Sequence, residues 1–240
     1  MDQRDSTPRY RHEVVATVFR VRLPVTDTAV PAGLTVLAWQ RRRDPYEGRW
    51  ALPSGPVQPT ESMAECITAI LAAKVDLDQI AHLEQLDTRS DPDRDPFERT
   101  IATAYLGLVP VTEHPTLPAH ADWLPVDRLP PMAFDHADIV ASAMRRLRNK
   151  LSYTNLGFAL AAPSFTMAEL RQVYAVALGR DLDATNLHRV LTRRGQLEPT
   201  GRTRRAGREG GRPAQEFRFT SRTAEVTDQF AVLRPGPGSS

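Results

Sequence analysis

Residues 163–201 read PSFTMAELRQVYAVALGRDLDATNLHRVLTRRGQLEPTG, and the punctuation of this stretch decides the architecture of the second half of the chain. Thr166 stands three residues before Glu169, the spacing of a capping box. Phe165 and Leu170 are placed to staple the same helix start, and Gly179 supplies the stop. The device then repeats: Asp183 is an N-cap, Leu182 and Leu187 form a second staple, and Gly195 follows the last turn of ATNLHRVLTRR. Next comes QLEPTGRTRRAGREGGRPAQEFRFTSR, alternating at both ends and rich in glycine and arginine between, as a β-hairpin with a long basic tip is. With one further helix before them, the two capped helices and the hairpin have the order of a winged helix-turn-helix.

The second capped helix divides its residues by face. Leu187, Val190, Leu191 and Arg194 fall on one side, while Thr185, Asn186, His188, Arg189, Thr192 and Arg193 fall on the others. A recognition helix offers such groups to base edges: Asn pairs with adenine, Arg with guanine, and Arg193 suits a base or a phosphate. Arg202, Arg204, Arg205, Arg208 and Arg212 crowd the glycine-rich tip and suit phosphates or minor-groove insertion. A solvated arginine-rich loop is the bland alternative.

Charge supports a split of roles. Residues 1–150 carry 18 Lys and Arg against 21 Asp and Glu, and residues 151–240 carry 13 against 8, so an anionic partner is expected for the second part. A chain of 240 residues suits two compact units, each burying its own core. Cys66 is the single cysteine, which excludes an intrachain disulfide framework and a cysteine-based zinc site. The first residues, MDQRDSTPRYRH, lack the apolar segment of a secretory signal, and no apolar run is long enough to span a bilayer; a cytoplasmic location is expected.

In the first unit, EVVATVFRVRL, TVLAWQRRR and TIATAYLGLVP read as strands, with a weaker one over residues 121–126. Met63, Ile67, Ile70 and Leu71 give a helix over residues 62–74 one buried stripe, and a second helix is expected over residues 135–150 with Ile139, Val140, Ala143 and Leu147 inward. This is an α+β layer arrangement.

Those elements, the loop DPYEGRWALPSG and the segment GPVQPTESMAECITAILAAKVDL resemble the Nudix family across nearly the whole first unit. The family's box is a glycine, five residues, Glu, seven residues, Arg-Glu, an aliphatic, any residue, Glu-Glu, any residue, then glycine and an aliphatic. Gly55, Glu61, Leu71 and Leu77 fit it, but Arg-Glu becomes Ala69-Ile70, Glu-Glu becomes Ala73-Lys74, and the glycine becomes Asp76. Glutamates three and four apart project from one helix face and hold hard divalent cations against a diphosphate. Here that face is Ile70, Ala73 and Lys74, so no metal site and no catalytic residues are expected, although Glu65, Glu98 and Glu113 are candidates for displaced ligands. The expected residue of the family's chemistry is a nucleotide pocket, with Arg41, Arg43, Arg49, Trp50, Lys74, Arg94, Phe97 and Arg99 taking a diphosphate and base. The alternative for Trp50 is core, and for the arginines a solvated surface.

The second unit adds a denser likeness. Phe165, Thr166, Glu169, Leu170, Val173, Tyr174, Leu178, Gly179, Leu182, Asp183, Asn186, Gly195, Leu197, Glu198, Thr200, Gly201 and the run Gly211 to Ala214 are similar to the pattern of the Nudix-related regulators of NAD metabolism, the NrtR family. His188 departs from that pattern, in which an arginine is common. The resemblance implies a Nudix-like α/β/α sandwich followed by a winged helix. It implies a homodimeric repressor of NAD synthesis or salvage genes on palindromic double-stranded DNA, with ADP-ribose or a related nucleotide as effector and no cofactor. Expected boundaries are a flexible N-terminus (1–11), an effector-binding domain (12–150), a winged helix (151–224) and a tail disordered at its end (225–240). Two other readings are an active ADP-ribose pyrophosphohydrolase with a nucleic-acid-binding appendage, and a silent adaptor whose winged helix docks protein.

Overall fold

The computed structural model describes residues 9–24, 32–75, 80–204 and 213–228. At its centre is β1 (Arg11–Arg22), parallel to β6 (Thr100–Val109) and antiparallel to β2 (Gly33–Gln40) and β4 (Ser54–Pro56). Beyond β2 lies β3 (Trp50–Ala51), with β7 (Ala121–Pro125) also on β2, and β5 (His82–Arg89) pairs with β6 at the other edge. A parallel central strand must be covered on both faces, and β1 is buried continuously from Val14 to Phe19.

The two-residue period of β1 sorts its side chains. Val14, Ala16 and Val18 pack with Ile67 and Leu71 of α1 (Met63–Val75), whereas Val15, Phe19 and Val21 pack toward Ile139, Val140 and Leu147 of α2 (His136–Tyr153). The sandwich expected from the sequence is present. The short strands β3 and β4 and the longer β5 were not expected: β5, HLEQLDTR, is a polar edge strand with an irregular register between Gln85 and Asp87, and it has too few apolar residues to show alternation.

The second unit comprises β8 (Phe165–Thr166), α3 (Met167–Leu178), α4 (Ala184–Arg193), β9 (Leu197–Arg204) and β10 (Ala214–Phe219), with β10 between β8 and β9. Its caps are those the sequence specified. The Thr166 backbone N–H donates to Glu169 Oε2 at 2.7 Å while the Glu169 N–H donates to Thr166 Oγ1 at 3.3 Å. Gly179 takes φ 69°, and Asp183 Oδ1 accepts from the Asn186 N–H at 2.6 Å.

The expectation of two separate cores is corrected. Leu170, Val173, Tyr174 and Ala177 of α3 belong to the same apolar cluster as Phe19, Val36 and Leu147, because α3 lies beside α2 on one face of the large sheet and touches β1 and β2. The connection is likewise internal. α2 runs through the expected boundary at residue 150 to Tyr153, and residues 154–161 that follow are all buried. The chain beyond β10 returns to this connection: Asn155 Nδ2 donates to the Thr223 carbonyl at 2.9 Å, and the Thr227 N–H donates to the Tyr153 carbonyl at 2.9 Å. Residues 205–212 of the hairpin tip and the tail from 229 lie outside the described residues. Among those described, no helix is long and apolar enough to cross a membrane.

Gly157 is the closest point of this joint. A Cβ there would meet ring carbons of Tyr174 at 2.7 Å, so the phenol fits only against bare backbone. The Tyr174 hydroxyl is buried without a hydrogen-bond partner among the described residues, and burial raises its pKa. Gly157→Ala is therefore expected to cost about 1–3 kcal/mol by overpacking, while Tyr174→Phe is neutral or slightly stabilising because it removes an unsatisfied polar atom. Thermal unfolding checks both. The first variant should melt several degrees below the parent and the second no lower than it.

Candidate functional site

The start of β1, the exit of β2, β4, the loop over residues 91–99 and the residue before α2 enclose a polar cleft of about 270 Å³. Arg41 is its central cation. Its Nε donates to the Pro45 carbonyl at 2.7 Å, its guanidinium lies 4.7 Å from the Phe134 ring centre, and burial lowers its pKa. Phe134 meets Tyr46 edge-on at 5.1 Å, and Arg49 stacks on Tyr46 at 5.1 Å. Tyr46 and Phe134 have φ of 66° and 52°, a left-handed conformation costly for aromatic residues and frequent at ligand sites. Sequence reasoning missed both, and Trp39 as well. The signal available for them was the turn DPYEG and the aromatic residue two positions before α2.

The eight residues expected to hold a ligand do not all converge. Arg41 and Phe97 line the cleft, and Phe97 is 70% exposed. Arg49 joins it through Tyr46; Arg99 sits over Tyr10 at 5.4 Å and donates to the Asp91 carbonyl at 3.0 Å. Two expectations are corrected. Arg94 is buried and braces the wall, donating to Glu13 Oε1 at 2.8 Å and Asp135 Oδ1 at 2.9 Å. Burial opposes its charge, but the hydrogen bonds to Asp135 and Glu13 outweigh this and raise its pKa. Trp50 packs against the core from β3, and Trp39 occupies the cleft instead, its indole donating to the Leu52 carbonyl at 3.0 Å. Arg43 belongs to a second cavity of about 380 Å³, which it lines with Trp39, Arg41, Arg42 and His120. The Lys74 side chain lies outside what is described, although its backbone is in α1.

The acids of the box region are engaged in local structure. Glu61 Oε1 accepts from the Gln58 N–H at 2.8 Å, and Glu65 Oε2 accepts from the Ser62 N–H and hydroxyl at 2.8 and 2.7 Å. The Ser62 hydrogen bonds lower the Glu65 pKa, as expected of a carboxylate capping a helix start. Glu98 accepts from Arg11 at 2.8 Å.

On the winged helix, Thr185, Asn186, Arg189, Thr192 and Arg193 form the exposed face of α4, opposite the buried Leu191. Arg189 Nη2 donates to Asn186 Oδ1 at 2.7 Å, so the two polar groups are held together on the surface. Arg202 is exposed on β9. Two of the expected DNA contacts are engaged within the winged unit. His188 packs edge-on against Phe217 of β10 at 5.1 Å, and Arg204 joins Glu169 at 2.9 Å with Glu216 at 2.8 Å, pinning the base of the wing to the start of α3. Arg205, Arg208 and Arg212 lie outside the described residues.

Comparison with known proteins adds the following. Residues 157–219 match the NrtR DNA-binding winged helix domain, and residues 16–143 match the NUDIX domain. A protein of Acinetobacter baylyi described as an ADPR responsive transcriptional repressor NtrR is 31% identical over 193 residues, 78% of this chain and 76% of its own length. The crystal structure of Shewanella oneidensis NrtR complexed with a 27mer DNA is similar with a TM-score of 0.69 at 28% identity, over 87% of this chain and 93% of that one. The NUDIX domain of that protein, solved with ADP ribose, shares the fold at 24% identity and a TM-score of 0.50, over 61% of this chain and 94% of that one.

His136 offers a test of the cleft wall. It is buried beside Asp135 and Arg94, and its Nδ1 accepts from the Leu52 N–H at 2.9 Å, which requires a neutral ring. Burial pushes its pKa down from 6.5 to about 3. The unfolded chain therefore takes up this proton first as pH falls. The contribution to stability is complete above about pH 6.5 and is lost toward pH 3, with a slope of at most about 1.4 kcal/mol per pH unit. Denaturant titrations between pH 7 and 4 should show this component in the parent and lose it in His136→Gln.

Proposed function

The chain belongs to the NrtR family of Nudix-related transcriptional regulators, and on that premise we propose that it is an ADP-ribose-responsive repressor that binds DNA through α4 and the wing. The observation that carries this reading is the Asn186–Arg189 pair, hydrogen-bonded on the exposed face of a capped helix that shares its core with the sheet bearing the polar cleft. Asn186 and Arg189 read base edges in the major groove. Thr185, Arg193 and Arg202 contact phosphates or neighbouring bases, and Arg205, Arg208 and Arg212 of the tip contact backbone or minor groove. A homodimer sets the spacing of two recognition helices on a palindromic operator near genes of NAD synthesis or salvage. ADP-ribose in the cleft favours the geometry that does not fit the operator, since an effector shifts an equilibrium only by its differential affinity.

The first unit is proposed to bind without hydrolysing. At the positions that in Nudix enzymes carry metal-binding glutamates the chain has Ile70, Ala73 and Lys74, and Glu61, Glu65 and Glu98 are engaged in local hydrogen bonds. No cofactor is needed for this role, and the arrangement suits a protein acting in the cytoplasm.

A mobility shift with duplexes from around NAD-synthesis genes, run with and without ADP-ribose, tests the reading. Retarded bands that ADP-ribose dissolves are expected, together with no magnesium-dependent product from ADP-ribose. A magnesium-dependent product would revive the pyrophosphohydrolase reading. Arg189→Ala is expected to weaken operator binding by about 1–3 kcal/mol and to relax preference at one base position. Arg202→Ala should weaken all sequences alike and lower the salt slope by about one. If both variants bound operator and random duplex as the parent does, α4 and β9 would not be the DNA surface.

A further inference from the structure

The cleft alone does not match the charge or the length of the effector assigned above. A diphosphate brings two negative charges, yet of the four carboxylates lining the cleft only Glu13 and Glu98 are ion-paired, with Arg94 and Arg11, and Asp44 and Asp95 remain against Arg41. Arg11 is already paired with Glu98 at 2.8 Å, which leaves Arg41, whose Nε is taken by the Pro45 carbonyl, as the lining cation without a carboxylate partner. In an enzyme of this fold a metal ion would offset such repulsion, and this chain lacks the glutamates that hold it. Carboxylates without a metal suit hydroxyls instead, since ionised Asp and Glu only accept hydrogen bonds and a ribose diol donates them. Size points the same way. At about 270 Å³ the cleft falls just below the range of about 300–1,000 Å³ that small-molecule pockets occupy, so a nucleoside diphosphate sugar would extend out of it.

The adjoining cavity has the missing properties. It measures about 380 Å³, is lined by Trp39, Arg41, Arg42, Arg43 and His120, and contains no acidic residue. Two lining residues, Trp39 and Arg41, are common to both spaces, so one elongated ligand can occupy both without leaving the protein surface. Arg42 and Arg43 are exposed, and Arg43 has no hydrogen-bond or ion-pair partner among the described residues, so its guanidinium is open to an anion. Arg42 Nη2 stands 3.5 Å from His120 Nδ1, a long contact that a phosphate oxygen could replace with a charge-assisted bond. Three successive arginines at the exit of β2 thus line a space together with the neighbouring rings of Trp39 and His120, whose centres are 6.1 Å apart.

We propose that this second cavity, lined by Trp39, Arg41, Arg42, Arg43 and His120, is a diphosphate-binding compartment, and that a ribose of the same effector lies in the carboxylate-lined cleft across Trp39 and Arg41. The orientation of the effector rests on the functional reading above, but the anion site can be tested by itself. Thermal-shift and calorimetric titrations of the full chain with inorganic pyrophosphate and with ADP-ribose, both without divalent metal, separate the two. Pyrophosphate should raise the melting temperature of the parent and compete with ADP-ribose. The double variant Arg42→Gln/Arg43→Gln, which changes exposed side chains, should melt as the parent does without ligand, lose the pyrophosphate shift, and bind ADP-ribose at least tenfold more weakly. Asp95→Asn should weaken ADP-ribose and leave the pyrophosphate shift intact. Pyrophosphate failing to bind the parent, or a double variant that keeps both ligands at parental affinity, overturns the compartment. A parent that binds pyrophosphate but not ADP-ribose overturns the functional reading while leaving the anion site in place.

Discussion

Tyr174 rests its ring on the backbone of Gly157, and this contact carries the relation between the two halves of the molecule. The ring belongs to α3, the first long helix of the winged unit, and the glycine belongs to the buried connection that follows α2. A side chain at residue 157 would displace the Tyr174 ring from its place. With hydrogen there instead, Leu170, Val173 and Ala177 reach the same apolar cluster as Phe19, Val36 and Leu147. Dense packing tolerates little adjustment, so the winged helix is held by the Nudix-like sheet rather than hanging from a flexible linker.

This packing joins the cleft to the winged unit through shared elements. α2 has 18 residues, roughly 27 Å of helix. It begins beside Phe134 and Asp135, which belong to the cleft and its Arg94 brace, and it ends at Tyr153, whose carbonyl accepts from Thr227. It also touches α3 along the way. Arg204 completes the connection at the far side by joining β9 to the capping box of α3. Occupation of the cleft can therefore bear on the winged unit through packed helices and hydrogen bonds.

Much of the fold was legible because its signals are local. A capping box needs a Thr and a Glu three residues apart, an αL stop needs a glycine, and a strand buried on both faces needs an unbroken apolar run, as in β1. β5 was not legible because an edge strand needs no apolar alternation, and β3 and β4 are too short to show a period. The site divided along similar lines. Asn186, Arg189 and Arg193 could be placed by helical phase alone. Arg94, Arg204 and His188 could not, because each is held by a partner on another element: Glu13 and Asp135, Glu216, and Phe217.

The sequence by itself determined the long buried strands and the helices of the first half, and where the helices of the second half begin and end. These follow from residue identity and spacing within a few turns of chain. Only the tertiary structure decided that the two units share one core, that Trp39 rather than Trp50 faces the cleft, and which arginines are braces and which are open to a ligand. The physical reason is that an arginine's role depends on whether a carboxylate stands within hydrogen-bond reach, and the carboxylates that settle it here lie up to 87 residues away, as Glu98 does from Arg11.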